Sequence, residues 1–293
     1  MKRRGALFWT AFLVLLVVAG QLSASGVTPL PGAHAHNDYE HRHPLLDALA
    51  HGFCSVEADI HLVDDALLVA HDRAQVQSHR TLEALYLNPL RERVRRNRGT
   101  VYPGGPEFLL LIDVKSEAHA TYVRLRQVLS CYTDILTEFR PGSVRRRAVT
   151  VILSGNRAIE MVARDPVRYL GVDGRLEDLD RQVDPHLMPL VSDAWLRHFR
   201  WFGSGEMPVA ERMRLVTLVR KARERGVKLR FWATPETPGC WRVLRDAGVD
   251  LISTDQLSRL RDFLLGRVPE SVRETARTGR ISGCCSLDFL SSL

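Results

Sequence analysis

Residues 108–115 read Phe-Leu-Leu-Leu-Ile-Asp-Val-Lys, an apolar run that ends in an acid and a base. The run has the length and composition of a buried β-strand, and a helix-like segment follows it at His119–Phe139. The same succession of a strand-like run and a helix-like segment occurs eight times in the 293-residue chain. Eight such units predict an α/β fold, a single closed (β/α)8 barrel of the TIM type, rather than an open sheet.

The predicted elements occupy the chain from residue 32 to residue 265. The strands are Gly32–Asn37, Cys54–Leu62, Phe108–Val114, Ala148–Leu153, Arg168–Val172, Leu187–Ser192, Lys228–Ala233 and Asp250–Thr254. The helices are Pro44–His51, Thr81–Asn97, His119–Phe139, Arg157–Arg164, Leu176–Gln182, Asp193–Phe199, Pro208–Arg225, Pro238–Ala247 and Gln256–Leu265. No repeat or break in composition marks a second domain, so we expect one barrel at residues 30–267, followed by a tail at 268–293.

The first 25 residues have the three parts of a secretory signal. Basic residues at 2–4 precede the apolar run Ala6–Ala19, and small residues follow at 23–26. The run has 14 residues, fewer than the roughly 20 that span a bilayer. We therefore expect cleavage and export to the periplasm or medium, and an uncleaved anchor remains open. The five cysteines, including adjacent Cys284 and Cys285, show no metal-type spacing.

The formal net charge is +7, and arginines cluster at Arg91–Arg98 and Arg145–Arg147. Two interpretations of these clusters stay open. They could make peripheral contact with an anionic membrane, or they could be a solvated helix face and a solvated loop. Neither cluster has interleaved aromatic residues, as a base-stacking surface would need. No nucleic-acid partner is expected.

Acid and histidine residues concentrate between residues 34 and 79, which hold eight of the eleven histidines. Glu57, Asp59 and His61 lie at i, i+2 and i+4 of one predicted strand, so they point to one side. Two carboxylates presented together are costly unless a positive group lies between them, and a hard divalent cation is the usual solution. The alternative is a polar strand face satisfied by water and arginine.

Asp113 and Lys115 share one face of the strand at residues 108–115. Asp113 can supply a third metal ligand, and Lys115 can neutralise an anionic substrate. Only four of the 41 basic residues are lysines, so a lysine at this position suggests that a compact point charge is required. A structural ion pair between Lys115 and Asp113 is the alternative.

His36 and His71 follow separate strand-like runs and can act as a base and an acid near neutral pH. In a barrel, catalytic groups gather at the carboxyl ends of the strands. The predicted mouth therefore collects side chains from five strands: His36, Glu57, Asp59, Asp113, Lys115, Trp232, Thr254 and Asp255.

These motifs resemble the phosphatidylinositol-phospholipase-C-like and glycerophosphodiester phosphodiesterase superfamily. The resemblance rests on the following segments: Ala35-His-Asn-Asp-Tyr39, Ser55-Val-Glu-Ala-Asp59, Val69-Ala-His-Asp72, Asp113-Val-Lys115, Phe231-Trp-Ala233 and Ile252-Ser-Thr-Asp255. The first segment, with Thr81-Leu82 and Pro89-Leu90, is most similar to the subgroup named for altered inheritance of mitochondria.

The resemblance implies a phosphodiesterase with one divalent cation, Mg²⁺ or Ca²⁺. It gives the catalytic histidine roles to His36 and His71, the metal to Glu57, Asp59 and Asp113, the phosphate to Lys115 as a further catalytic residue, and a wall of the pocket to Trp232. Asn37 and Asp255 are further candidates for substrate binding, and His34 is expected to be a support or pocket residue. Glycerophosphodiesterases have Arg-Gly where this chain has Asn37-Asp38, and Asp113 in place of their glutamate resembles the sphingomyelinase D branch. The expected substrate is therefore a phosphodiester of the phospholipid or glycerophosphodiester type.

Two other classes of protein fit part of this pattern. His34 and His36 after the first strand, with Asp255 after the last, also occur in barrel amidohydrolases, but that class needs histidines after the middle strands. A barrel kept only as an exported binding module would be expected to lack part of the acid, base and metal set.

Overall fold

The structure, a computed structural model, describes residues 26–181 and 184–267. Its strands are β1 (Leu30–Ala35), β2 (Phe53–Val63), β3 (Ala66–Val69), β4 (Phe108–Val114), β5 (Glu138–Arg140), β6 (Ser143–Arg145), β7 (Val149–Gly155), β8 (Gly171–Gly174), β9 (Leu190–Ala194), β10 (Lys228–Trp232) and β11 (Leu251–Thr254). Eight of them pair in parallel in the order β1-β2-β4-β7-β8-β9-β10-β11, and β11 pairs with β1. The predicted (β/α)8 barrel is therefore confirmed.

Helices connect these strands on the outside of the barrel. They are α1 (Leu46–Ala50), α2 (Asn88–Arg96), α3 (Ala118–Ser130), α4 (Ile159–Arg164), α5 (Trp195–His198), α6 (Val209–Arg225), α7 (Pro238–Ala247) and α8 (Leu257–Leu264). Short 3-10 turns lie at Asp38–Glu40, Arg73–Gln75 and Leu176–Asp180, and a π-helical turn at Glu83–Leu87 precedes α2.

Alternation along the strands produces two separate cores. One face of each strand packs against the helices, and the large core there contains the apolar residues of that face. The other face points into the barrel, where five apolar side chains fill the floor: Leu109, Leu111, Ile152, Leu190 and Leu251. Above this floor the inward positions become polar, which places the reactive groups at the carboxyl ends of the strands.

All eight predicted barrel strands are present, with ends displaced by up to three residues. The helix predicted at His119–Phe139 is too long, because α3 ends at Ser130 and residues 138–145 form a β-hairpin. Gly142, at φ 71°, makes the turn that a helix could not include.

The run that ends at His71 forms β3, which pairs antiparallel with β2 through a two-residue turn. Both turn residues, Asp64 and Asp65, have positive φ (46° and 62°), as a tight hairpin of this twist requires. The hairpin folds β3 back along β2, so His71 returns to the level of Asp59 at the mouth.

Several predictions fall outside the described residues. The leader at 1–25, the tail at 268–293 with Cys284 and Cys285, and the predicted helix end Gln182 are among them. Within the described ranges, no helix is both long and apolar enough to cross a membrane. Cys54, Cys131 and Cys240 form no disulfide there.

Candidate active site

Three carboxylates meet at the mouth of the barrel, on neighbouring strands. Glu57 and Asp59 alternate along β2, and Asp113 on β4 is the parallel partner of Asp59. One oxygen from each lies within 4.8 Å of the others. Periodicity and register together therefore assemble the acidic cluster that the sequence predicts.

The cluster fits a hard divalent cation. Asp59 is 1% exposed, and its Oδ1 is buried without a hydrogen-bond partner in the described part of the chain. Burial, followed by the nearby Glu57 carboxylate, raises the pKa of Asp59 to about 6. An unpaired buried oxygen beside two other carboxylates is the environment that oxygen-liganded Mg²⁺ or Ca²⁺ satisfies.

Glu57 is fixed from the barrel floor by a buried arginine. Arg230 on β10 donates to Glu57 Oε2 at 2.7 Å and to Ser253 Oγ at 3.0 Å. Burial alone would raise the pKa of Glu57, but Arg230, His36 and His34 lower it well below its usual range. The alternative of an arginine-satisfied strand face therefore holds for this Glu57 oxygen, and it does not extend to Asp59 Oδ1.

His34 supports Glu57 from below. Its Nδ1 lies 2.7 Å from Ser55 Oγ and its Nε2 lies 3.3 Å from Glu57 Oε2. Burial, and then the charge of Arg230, lower the pKa of His34 to about 3, so the ring is neutral. Because a carboxylate only accepts, Nε2–H donates to Glu57 and Nδ1 accepts from Ser55. A fully buried ring with both nitrogens occupied is a support and not a pocket-lining residue.

Lys115 bridges two of the three carboxylates. Its Nζ lies 3.0 Å from Asp59 Oδ2 and 3.1 Å from Asp113 Oδ1. Burial lowers the pKa of Lys115, but Asp113 and Asp59 outweigh burial and raise it, which keeps the ammonium charged. The side chain stays 29% exposed at the mouth, so the ammonium is accessible to a ligand.

His71 is held on one side by Asp59 and Tyr39. Its Nδ1 lies 3.1 Å from Asp59 Oδ2 and 3.0 Å from the Tyr39 hydroxyl. That hydroxyl also lies 2.7 Å from Asp59 Oδ2 and 2.8 Å from Asn37 Oδ1. With Nδ1 occupied, Nε2 is the nitrogen that a half-exposed ring offers to a substrate.

His36, which follows β1 next to β2 in the barrel, has a comparable carboxylate partner. Its Nδ1 lies 2.8 Å from Asp255 Oδ1, which Asn37 Nδ2 approaches at 3.5 Å. Burial lowers the pKa of His36, but Glu57 and Asp255 outweigh burial, so the net shift is upward. The Asp255 backbone N–H donates to Glu236 Oε1 at 2.6 Å, and Trp232 ends β10 half-buried.

Asp38 organises the loop that carries His36, Asn37 and Tyr39. Its buried Oδ2 accepts from the Leu45 backbone N–H at 2.6 Å and from the Tyr86 hydroxyl at 2.9 Å. Burial raises the pKa of Asp38 to about 7. The first contact holds Leu45 at φ 64°, a strained conformation for a branched side chain. Asp38 is therefore a structural residue of this loop.

Sequence reasoning gave no role to Tyr39, Ser55, Arg230 or Glu236. Tyr39 lies in the Ala35–Tyr39 motif, but its contact with His71 depends on the fold of the β2–β3 hairpin. Arg230 alternates with Trp232 on β10, so the period of two places both inward. That signal could have identified Arg230, since an inward arginine needs an acidic partner.

A closed (β/α)8 barrel with three carboxylates, a lysine and two carboxylate-held histidines at its mouth has the groups that phosphodiester hydrolysis requires. Comparison with known proteins agrees, because residues 22–170 match the AIM6-like phosphodiesterase domain. Altered inheritance of mitochondria protein 6 from Eremothecium gossypii is 32% identical over 273 residues, covering 81% of this chain and 70% of that protein. The chain therefore belongs to the AIM6-like phosphodiesterase family, as the sequence resemblance predicts.

Two further proteins are similar to this chain. The Altered inheritance of mitochondria protein 6 homolog from Arthroderma benhamiae is 27% identical over 277 residues, covering 81% of this chain and 85% of that protein. A crystal structure of a glycerophosphodiester phosphodiesterase from Agrobacterium tumefaciens aligns with a TM-score of 0.48 and 12% identity, covering 79% of this chain and 99% of that chain.

Proposed function

We propose that this phosphodiesterase is metal-dependent and cleaves a phospholipid or glycerophosphodiester by acid–base catalysis with His36 and His71. The observation that carries the proposal is the difference in environment between the two oxygens of Asp59. Oδ2 is contacted by Tyr39, His71 and Lys115, and buried Oδ1 has no partner. One carboxylate thus links the catalytic groups to a cation site.

Glu57, Asp59 and Asp113 would hold one divalent cation, Mg²⁺ or Ca²⁺. When bound, the cation supplies Lewis-acid polarisation of a phosphoryl oxygen. Lys115 offsets the charge that develops on the phosphoryl group, since its ammonium is accessible at the same mouth. Trp232, at the end of β10, forms a wall of the pocket.

Each of the two histidines transfers a proton to or from the substrate through its Nε2. Asp255 holds Nδ1 of His36, and Asp59 with Tyr39 holds Nδ1 of His71, so each ring is fixed in the tautomer that presents Nε2. One Nε2 takes the proton of the attacking hydroxyl, from water or from the substrate itself. The other gives a proton to the leaving oxygen.

An amidohydrolase mechanism has no support in this geometry. That class would use His34 and His36 together as metal ligands, but both ring nitrogens of His34 are engaged by Ser55 and Glu57. A non-catalytic binding barrel is also disfavoured, because metal, charge and proton-transfer groups are all at the mouth.

The test is hydrolysis by the purified protein after chelation and after return of Mg²⁺ or Ca²⁺. Substrates are glycerophosphodiesters, lysophospholipids, sphingomyelin and bis(p-nitrophenyl) phosphate. We expect chelation to abolish turnover, and Asp59→Asn to lose both metal affinity by calorimetry and activity. Full activity of the chelated protein would overturn metal dependence, and no hydrolysis of any substrate with metal would overturn the proposed reaction.

We also propose export through cleavage of the leader. The support is its basic, apolar and small-residue order, with an apolar run of 14 residues. Mass spectrometry of the protein recovered from its native compartment tests the proposal. A mature chain starting near residues 25–27 is expected, and an intact Met1 would contradict it.

A further inference from the structure

Exposed apolar side chains concentrate in one short segment. Of the eight large hydrophobic residues that are exposed in the described ranges, five lie between residues 196 and 216. We call these five the rim patch: Leu196, Phe202, Val209, Met213 and Val216. Single exposed apolar residues need no explanation, but a group of them is typical of an interaction surface.

The exposure of Phe202 is fixed by its loop. Phe202 is 63% exposed although its neighbour Trp201 is buried. Trp195 Nε1 donates to the Trp201 carbonyl at 2.9 Å, and Trp201 Nε1 donates to the Ser204 carbonyl at 2.9 Å. Glu211 Oε2 accepts from two backbone N–H groups of residues 200 and 201. These four hydrogen bonds fix the conformation of the loop, and in that conformation the Phe202 side chain points outward.

The rim patch lies beside the mouth. Its segment follows β9, whose carboxyl end is at the mouth, and α6 starts at that end because it runs back along the barrel. Gly203 packs against the loop that follows Trp232, since a Cβ on Gly203 would lie 2.5 Å from Thr237 Oγ1. Val209, Met213 and Val216 at i, i+4 and i+7 continue the patch along one face of α6.

Unpaired arginines accompany the rim patch. Arg200 and Arg212 are exposed, and neither has a carboxylate within ion-pair distance among residues 26–181 and 184–267. Arg214 is also exposed, but its Nη2 already lies 3.5 Å from His198 Nδ1. The clusters at Arg91–Arg98 and Arg145–Arg147 differ from the arginines beside the rim patch, since many of their members already have acidic partners. Arg91 and Arg95 contact Asp134, Arg96 contacts Glu92, and Arg146 contacts Glu107.

We propose that the rim patch docks the barrel on an anionic lipid bilayer, with its mouth next to the headgroups. The apolar side chains enter the interface and Arg200 and Arg212 meet lipid phosphates, a combination that holds peripheral proteins on membranes. Charge complementarity favours this occupant over a second copy of the chain, which would bring the same unpaired arginines together. The inference rests on the proposed function, because docking serves a lipid substrate.

The test uses the full chain with two kinds of vesicle, pure phosphatidylcholine and phosphatidylcholine with one third phosphatidylglycerol. The leader can itself enter a bilayer, so the readout is local, by hydrogen exchange of peptides covering residues 196–216. We expect these amides to exchange several-fold more slowly on anionic vesicles only. High salt should remove the protection, because lipid–arginine attraction is screened within a Debye length.

Variants separate docking from chemistry. Phe202→Ser and Met213→Ser should each weaken vesicle affinity by roughly tenfold, and Arg212→Gln by roughly fivefold. Val123→Ser is the matched control, because Val123 is 46% exposed on α3, away from the patch. All four variants should hydrolyse bis(p-nitrophenyl) phosphate as the wild type does. If the wild type with metal hydrolyses none of the substrates named above, the proposed function is refuted, and the hydrogen-exchange result on docking still stands.

Three results would overturn docking: no local protection on anionic vesicles, equal protection on both kinds of vesicle, or an effect of Val123→Ser equal to that of Phe202→Ser. A wild-type dimer in sedimentation that Met213→Ser dissociates would assign the rim patch to a second copy instead.

Discussion

Replacing Tyr39 by Phe should separate the alignment of His71 from the rest of the site. The hydroxyl is buried and lies 2.7 Å from Asp59 Oδ2 and 3.0 Å from His71 Nδ1. The ring volume stays the same, so the substitution removes these contacts and creates almost no cavity. The two remaining partners of Asp59 Oδ2, which are His71 and Lys115, keep the carboxylate in place.

The expected size of the effect follows from those contacts. A hydrogen bond to a charged group contributes about 1.5–3 kcal/mol. Because Asp59 Oδ2 keeps two partners, we take the lower end, and a loss of about 1.4 kcal/mol in the transition state corresponds to tenfold in rate. We therefore expect kcat to fall roughly tenfold with KM nearly unchanged, since the hydroxyl is buried against Asp59, His71 and Asn37.

Tyr102→Phe is the matched control for this experiment. Tyr102 is also buried, and its hydroxyl donates to the Phe53 carbonyl at 2.7 Å, far from the mouth at the start of β2. Both variants should lose similar stability in urea unfolding, and only Tyr39→Phe should lose turnover of bis(p-nitrophenyl) phosphate at saturating metal. Equal kcat in the two variants would refute the role of Tyr39 in positioning His71.

Three further predictions concern charge at the mouth and in its loop. Asp255→Asn should lower the pKa of His36 by removing a partner that raises it, so one limb of the bell-shaped pH–rate profile moves to lower pH, and His36→Ala should cost roughly 10²-fold in kcat. Lys115→Arg should fail nearly as badly as Lys115→Met if the compact ammonium meets a phosphoryl oxygen, whereas an active and stable Lys115→Arg protein would leave Lys115 a structural ion pair. Burial raises the pKa of Asp38 from 3.8 to about 7, so the native state binds this proton more tightly than the unfolded chain. The free energy of unfolding therefore falls as pH rises between these two values. Asp38→Asn should flatten this pH dependence in urea unfolding, and an unchanged dependence on pH would contradict the assignment.

The fold could be predicted because its main determinants are local. Each strand has its own apolar run, and the order of eight strand–helix units fixes the topology. The helix predicted at His119–Phe139 extends too far beyond Ser130, because the apolar residues at 131–139 also suit a helix and the hairpin at 138–145 depends on a turn at Gly142. The bounds of an element are set by such competition and are less visible in sequence than its existence.

The site could be predicted only in part, because some of its contacts join residues that are far apart along the chain. Glu57, Asp59 and Asp113 lie on adjacent strands, so strand ends and periodicity bring them together. Arg230 reaches Glu57 from 173 residues away, across the interior of the barrel. That contact depends on strand stagger and on the reach of a long side chain, and neither can be derived from a single motif.

The charges of the assembled cluster give the physical reason for expecting a cation. Three carboxylates face two fixed positive groups, Arg230 and Lys115, and His34 is neutral. The cluster alone therefore keeps about one net negative charge in a poorly solvated mouth, which would repel an anionic phosphodiester. One divalent cation reverses that sign and gives Asp59 Oδ1 a partner. Substrate attraction and the satisfaction of a buried oxygen thus depend on the same ion, and chelation should weaken binding of an unreactive phosphodiester analogue as well as turnover.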